Sequence, residues 1–185
     1  MKRFSTTILI FLSAISSQIQ ADLLNVNLSN DAVSANYLID MGQGFFAGGS
    51  VLHEEDAGQV VSLDLLVKDD LRSGEHTFSA GVGGKIFGIF TEVSGNDGMS
   101  MALGGFVNYA LPSVKAVSLQ GELYYGPSVT SVEDVESVLY YLAGVEVEVI
   151  ERAKLHAGYR KIRVKFPGGR GNMDEGINVG IKLEF

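Results

Sequence analysis

The carboxyl-terminal stretch from Gly176 to Phe185 constrains this chain most. Ile177, Val179, Ile181, Leu183 and Phe185 fall on one parity, and Asn178, Gly180, Lys182 and Glu184 on the other. Side chains alternate across a strand, so the segment predicts a strand with one apolar and one polar face. It runs to an aromatic terminal residue. Strands of this kind close bacterial outer-membrane barrels, where the apolar face meets lipid and the polar face meets the lumen. The expected fold is therefore all-β, a single antiparallel transmembrane barrel. Ile181, Leu183 and Phe185 form the terminal signal through which barrel-assembly machinery would engage it.

The amino terminus points to the same destination. Lys2 and Arg3 give a positive start, Ile8 to Ile15 a short apolar core, and Ile19-Gln-Ala21 a small residue at the expected cleavage point, with Asp22 following. The apolar core is about half the ~20 residues a spanning helix needs, so a cleaved export signal is expected. Ile19 is larger than the residue usually found there, which leaves the cleavage position open. The domain reading is 1–21 signal peptide and 22–185 barrel.

Composition excludes several classes. Hydrophobic residues make up 46% of the chain and charged residues 19%, with 23 Gly, 3 Pro and no Cys. Without Cys there is no disulfide framework, so stability must come from backbone pairing and packing. The formal net charge of −8 argues against nucleic acid as a partner.

Period-2 runs between turn signals predict ten strands, near 23–29, 32–40, 44–53, 59–68, 76–92, 98–110, 115–125, 136–150, 153–166 and 176–185. Eight strands result if 23–40 forms less than two full spans. With both ends of the barrel in the periplasm, the outer connections are Asn30-Asp31, His53–Gly58, Ser94–Gly98, Pro127–Ser137 and Pro167–Glu175. The inner ones are Met41–Gln43, Asp69–Glu75, Leu111–Lys115 and Glu151–Ala153. Longer outer loops over short periplasmic turns are the expected asymmetry, met here in most connections. Along 59–68, Val61, Leu63, Leu65 and Val67 oppose Ser62, Asp64 and Lys68. Along 136–150, Leu139 to Val149 oppose Gly144, Glu146 and Glu148. The strand glycines Gly81, Gly83, Gly84, Gly104 and Gly105 are expected to serve close packing in a narrow lumen. In 153–166 the apolar phase switches after Tyr159. Either a bulge lies near Arg160-Lys161, or the strand rises above the membrane, the reading favoured here. Lys161, Arg163 and Lys165 would then meet lipopolysaccharide at the rim, or form an ordinary solvated edge.

The candidate site is a lumen charge cluster of Glu146, Glu148, His156, Arg160 and Lys182. A three-residue turn at Glu151–Ala153 would set Glu148 opposite His156 and Glu146 opposite Gly158, with Arg160 one diagonal away. The cluster reads as a gate or selectivity ring, or more plainly as an ion-pair plug, because buried charges need partners. No nucleophile with an oriented base is evident around His53, His76 or His156, so no catalytic residues are assigned. The scattered His residues and absent Cys give no metal site and no cofactor. His53-Glu54-Glu55-Asp56 and Asp174-Glu175 could hold a divalent cation but more plainly form solvated acidic loops.

Tyr124-Tyr-Gly-Pro-Ser-Val-Thr-Ser-Val-Glu-Asp134, then Gly158-Tyr-Arg160 and the Phe185 ending, resemble the YfaZ family of small exported outer-membrane proteins. Gly126 stands where that pattern more often has Ala. The resemblance implies an outer-membrane barrel and brings no catalytic residues. The expected function is a non-enzymatic narrow channel or structural and interaction barrel in contact with outer-membrane lipid and lipopolysaccharide. The alternatives are a lipid- or lipopolysaccharide-modifying barrel enzyme and a soluble periplasmic barrel binding a small ligand.

Overall fold

A computed structural model describes residues 22–73, 76–92, 95–114 and 116–185. The export segment 1–21, and Glu75, Ser94 and Lys115 among the connection residues, lie outside them. The chain forms β1 Leu23–Leu28, β2 Ala32–Gly42, β3 Phe45–Glu54, β4 Gly58–Ser73, β5 His76–Thr91 and β6 Gly98–Ala110. There follow β7 Val117–Gly126, a short β8 Ser131–Glu133, β9 Ser137–Ile150, β10 Ala153–Phe166 and β11 Gly169–Glu184. Every pairing is antiparallel. β8 sits apart on the start of β6, β7 pairs with β9, and β1 pairs with β11 from Leu23↔Glu184 to Leu28↔Val179. That last ladder closes a barrel of ten strands, which abolishes free sheet edges. The ten-strand reading holds because 23–40 supplies two full members, β1 and β2.

Turn chemistry fixes the register. Gly42 pairs with Phe45, and the two residues between them, Gln43 and Gly44, have φ of 56° and 80°, the two positive values that a tight hairpin with the right-handed strand twist requires. Three connections differ from expectation. β4 continues through Asp69 and Asp70 to Ser73, which pairs with His76. β11 begins at Gly169, so Pro167–Glu175 is mostly hairpin rather than loop. Pro127–Ser137 contains a 3-10 turn, Ser128–Thr130, and β8. In the first two cases the strand has run past the apolar layer, so its hydrophobic period vanishes while its backbone pairing continues.

β10 itself keeps phase. His156, Gly158, Arg160, Ile162, Val164 and Phe166 all lie on its inner parity, and its ladder with β9 is unbroken there. The bulge falls on β11, where Ile162 pairs with Asp174 and Arg163 with Asn172, leaving Met173 as the extra residue. The apparent switch marks the inner face turning from polar to apolar, as the outer face turns basic.

The outward face is an unbroken apolar girdle. Leu63, Val82, Leu103 and Ile177 are each about two-thirds exposed, at 67%, 70%, 69% and 68%. A patch encircling the whole molecule far exceeds the few hundred Å² that soluble surfaces tolerate. Aromatic rings flank it at two levels. Tyr37, Phe78 and Tyr109 lie toward the end holding the termini, and Phe90, Tyr125, Tyr141 and Tyr159 toward the other.

Inside, the two ends differ. At the end remote from the termini, Leu52, Val60, Phe87, Ile89, Val138, Ile162 and Val164 pack into a buried apolar core. Toward the termini the interior holds the charged and amide side chains, with Leu38, Phe46, Leu66 and Phe106 among them.

Candidate functional site

The polar interior is built from residues that neighbouring strands place on their inner parity. β4 contributes Ser62 and Asp64, β5 Lys85, β6 Asn108, β9 Glu146, β10 His156 and Arg160, and β11 Asn178 and Lys182. Bonds between strands that are not adjacent show that these side chains meet inside the lumen. Arg160 on β10 donates through Nη1 to Ser34 Oγ on β2 at 2.7 Å, and Asn108 on β6 donates to Glu146 Oε2 on β9 at 2.8 Å.

Three ion pairs organise the space. Glu146, whose side chain is 2% exposed, pairs with Lys182. Asp64, 1% exposed, pairs with Lys85 at 2.7 Å and also accepts from Ser62 Oγ at 2.7 Å and Asn36 Nδ2 at 3.2 Å. Asp174 pairs with Arg160 Nε at 2.5 Å. Such pairing and hydrogen bonding make buried charge tolerable, since an uncompensated carboxylate would lose several kcal/mol on leaving water. Lys85 Nζ also lies 4.9 Å from the centre of the Tyr124 ring, a cation–π contact.

The register departs from expectation. Glu146 stands opposite His156 and Glu148 opposite Lys154, two residues from the expected pairing. The cause is the inner turn. Glu151-Arg152 forms a tight two-residue connection with Arg152 at φ 70°, and an irregularity follows at Ala153/Lys154. Arg160 does not neutralise Glu146 but reaches Asp174. His156 shares a hydrogen bond with Asn27 through Nε2, and its Nδ1 has no protein partner among the described residues. Gly180 makes room for it, since a Cβ there would press on the imidazole ring and the Val26 carbonyl. Glu148 lies at the inner rim and is exposed. Thus Glu146, His156, Arg160 and Lys182 are brought into one interior, while Glu148 stands at its edge.

Sequence reasoning missed Lys85, Asn108 and Asp174 as members of this network. The signal for Lys85 was present: one charge follows Gly83-Gly84 and precedes the apolar Ile86-Phe87. Asp174 was hidden by the bulge.

The pairs leave a cavity of about 240 Å³. Leu23, Lys68, Lys154 and Glu184 stand at its mouth, at the end of the termini. Asn36, Asp64, Glu122 and Lys182 line its walls, and Leu52, Val60, Phe87, Tyr124 and Ile162 form its apolar ceiling. The space is a cup, open at one end.

The histidines outside the lumen have other duties. His76 Nδ1 lies 2.7 Å from Tyr109 Oη, with the two rings stacked. His53 is exposed near the β3–β4 turn, where Glu54 folds back to accept from the Asp56 amide at 2.9 Å and from the Ala57 amide. Among the described residues no three His, Asp or Glu side chains converge on one point.

A closed antiparallel barrel with an apolar girdle, aromatic rims and a charged, hydrogen-bonded interior defines an outer-membrane β-barrel protein. Within that class the chain belongs to the YfaZ precursor family, whose model matches residues 1–185. No curated protein matches it. Among solved structures, one from a study of the in-meso crystallization of membrane proteins is 13% identical with a TM-score of 0.42, covering 90% of this chain and 83% of that one. A porin is 13% identical with a TM-score of 0.36, covering 92% of this chain and 60% of the porin.

Proposed function

We propose that the protein is a non-enzymatic structural and binding barrel of the outer membrane, sealed toward the cell exterior and open as a polar cup toward the periplasm. The apolar core at the end remote from the termini carries this reading. Water and ions cannot cross a packed layer of Leu52, Val60, Phe87, Ile89, Val138, Ile162 and Val164 at ordinary rates. Orientation follows from the tight turns at 43–44 and 151–152, which share the end of the termini, and from the longest connection, 127–136, at the other. A non-enzymatic role is supported by the acidic groups themselves. Asp64, Glu146 and Asp174 are each committed to a cation rather than poised beside a nucleophile. Insertion would proceed through the terminal strand, where Ile181 and Phe185 are outward and exposed.

Planar-bilayer recording of verified folded protein tests the seal. The expected outcome is no discrete conductance. Reproducible steps whose ion selectivity moves in Glu146→Gln would overturn the reading in favour of a channel. Release of the protein by osmotic shock without detergent would overturn the membrane assignment.

A further inference from the structure

The outward face of the β9–β10–β11 sector changes character above Tyr141 and Tyr159. Toward the termini it is apolar, with Val145, Val147, Leu155, Ile177 and Val179 outermost. The two tyrosine rings stack with centroids 6.1 Å apart, at the level where aromatic side chains mark a membrane interface. Beyond them the outward positions of β10 are Lys161, Arg163 and Lys165, and Arg170 on β11 stands opposite Lys165. These lie two to six residues past Tyr159, roughly 5–15 Å along the membrane normal for a tilted strand. That is headgroup depth.

The cations are held in place from below and from one side. Lys161 pairs with Glu175 at 2.5 Å, and Glu175 also accepts from Tyr159 Oη at 2.8 Å and from the Asn172 amide. Lys165 pairs with Glu136 at 2.5 Å. Arg163 stands between the two pairs, opposite Leu139 and Asn172, and neither carboxylate is its ion-pair partner. Lys161, on the outer parity, is itself covered at 7% exposure and spent on Glu175, so Arg163, Lys165 and Arg170 are the accessible cations, beside two carboxylates on a chain whose net charge is −8.

We propose that this stripe is a lateral docking site for the phosphorylated headgroup of lipopolysaccharide. The proposal rests on the orientation given above, which places the stripe at the outer leaflet. Guanidinium groups bind phosphate through paired N–H donors, and Lys supplies the point charge. A headgroup carrying several phosphates matches a row of cations spread over two strands better than a single phosphodiester does. The acyl chains would lie below, against Tyr141, Tyr159 and the apolar wall.

The test uses full-length protein folded in neutral detergent and titrated with lipopolysaccharide, with its dephosphorylated form, and with phosphatidylglycerol. Bound lipid is read by native mass spectrometry. The triple variant Arg163→Gln, Lys165→Gln, Arg170→Gln should bind lipopolysaccharide roughly thirtyfold more weakly, given about one kcal/mol per surface cation discounted for residual contacts. Dephosphorylated lipopolysaccharide should bind wild type and variant alike. Equal affinity of wild type and variant for lipopolysaccharide, or phosphatidylglycerol binding as tightly, would sink the proposal. If the triple variant fails to keep its compact electrophoretic form, Arg163→Gln alone is titrated, and its affinity must still fall. Failure of the orientation is distinguished separately, by surface labelling of Val129→Cys on intact cells.

Discussion

Single residues in this protein are best understood through their partners. Glu146 and Lys182 show why. Removing the ammonium in Lys182→Met leaves a buried carboxylate with the Asn108 amide as its remaining hydrogen bond and Lys154 as a more distant cation, and breaking one side of such a pair costs about 3–5 kcal/mol. The double variant Glu146→Gln/Lys182→Met removes both charges and should recover most of that loss. Urea unfolding in liposomes, followed by tyrosine emission because the chain has no Trp, measures both. A double variant as unstable as the single one would mean that the pair is not the unit of stabilisation. The same logic applies to Asp64, which holds Lys85, Ser62 and Asn36 together from three strands.

At the scale of strands, glycine decides which ladders can form. Gly104 sits on the inner face of β6, where a Cβ would press on the Leu123 carbonyl and come within 2.7 Å of Tyr124 Cα. Gly84, on the outer face of β5, has nothing nearer than 3.6 Å. Gly104→Ala should therefore destabilise the barrel by ~1–3 kcal/mol, whereas Gly84→Ala should leave it nearly unchanged. Heat-modifiable electrophoretic mobility compares the two, and equal effects would contradict the assigned faces. The strands were legible wherever one face meets lipid, because alternation then follows from burial alone. They were illegible at Asp69–Ser73 and Gly169–Glu175, where both faces are polar and only backbone pairing continues. The candidate site was legible as to parity, so Glu146, His156, Arg160 and Lys182 were placed on inner faces. Its partnerships were not, because the tight Glu151-Arg152 turn and the Met173 bulge set register by local backbone geometry that hydrophobic period does not encode.

For the whole molecule, the consequence is directionality. The natural chain has no Cys, so single cysteines report access cleanly. Val129, 88% exposed within the longest outer connection, should react as Val129→Cys with a membrane-impermeant maleimide on intact cells. Asn25→Cys, lining the cup, should react only after the outer membrane is breached. Labelling of Asn25→Cys on intact cells would mean either a passage through the apolar core or the opposite orientation, and Val129→Cys separates the two. Opening the seal with Ile162→Ser/Val164→Ser should give ion conductance where wild type is silent. Persistent silence would place the barrier elsewhere in the lumen.

The β1–β11 ladder sets Leu23 against Glu184, and both residues stand at the mouth of the cup. The Phe185 amide donates to the Asp22 carbonyl at 2.9 Å, so the two ends of the barrel leave from one point on its rim. A domain appended after Phe185 would hang beside the opening like a hinged cover. Tether length alone would then tune how freely solutes enter, without altering a residue of the wall.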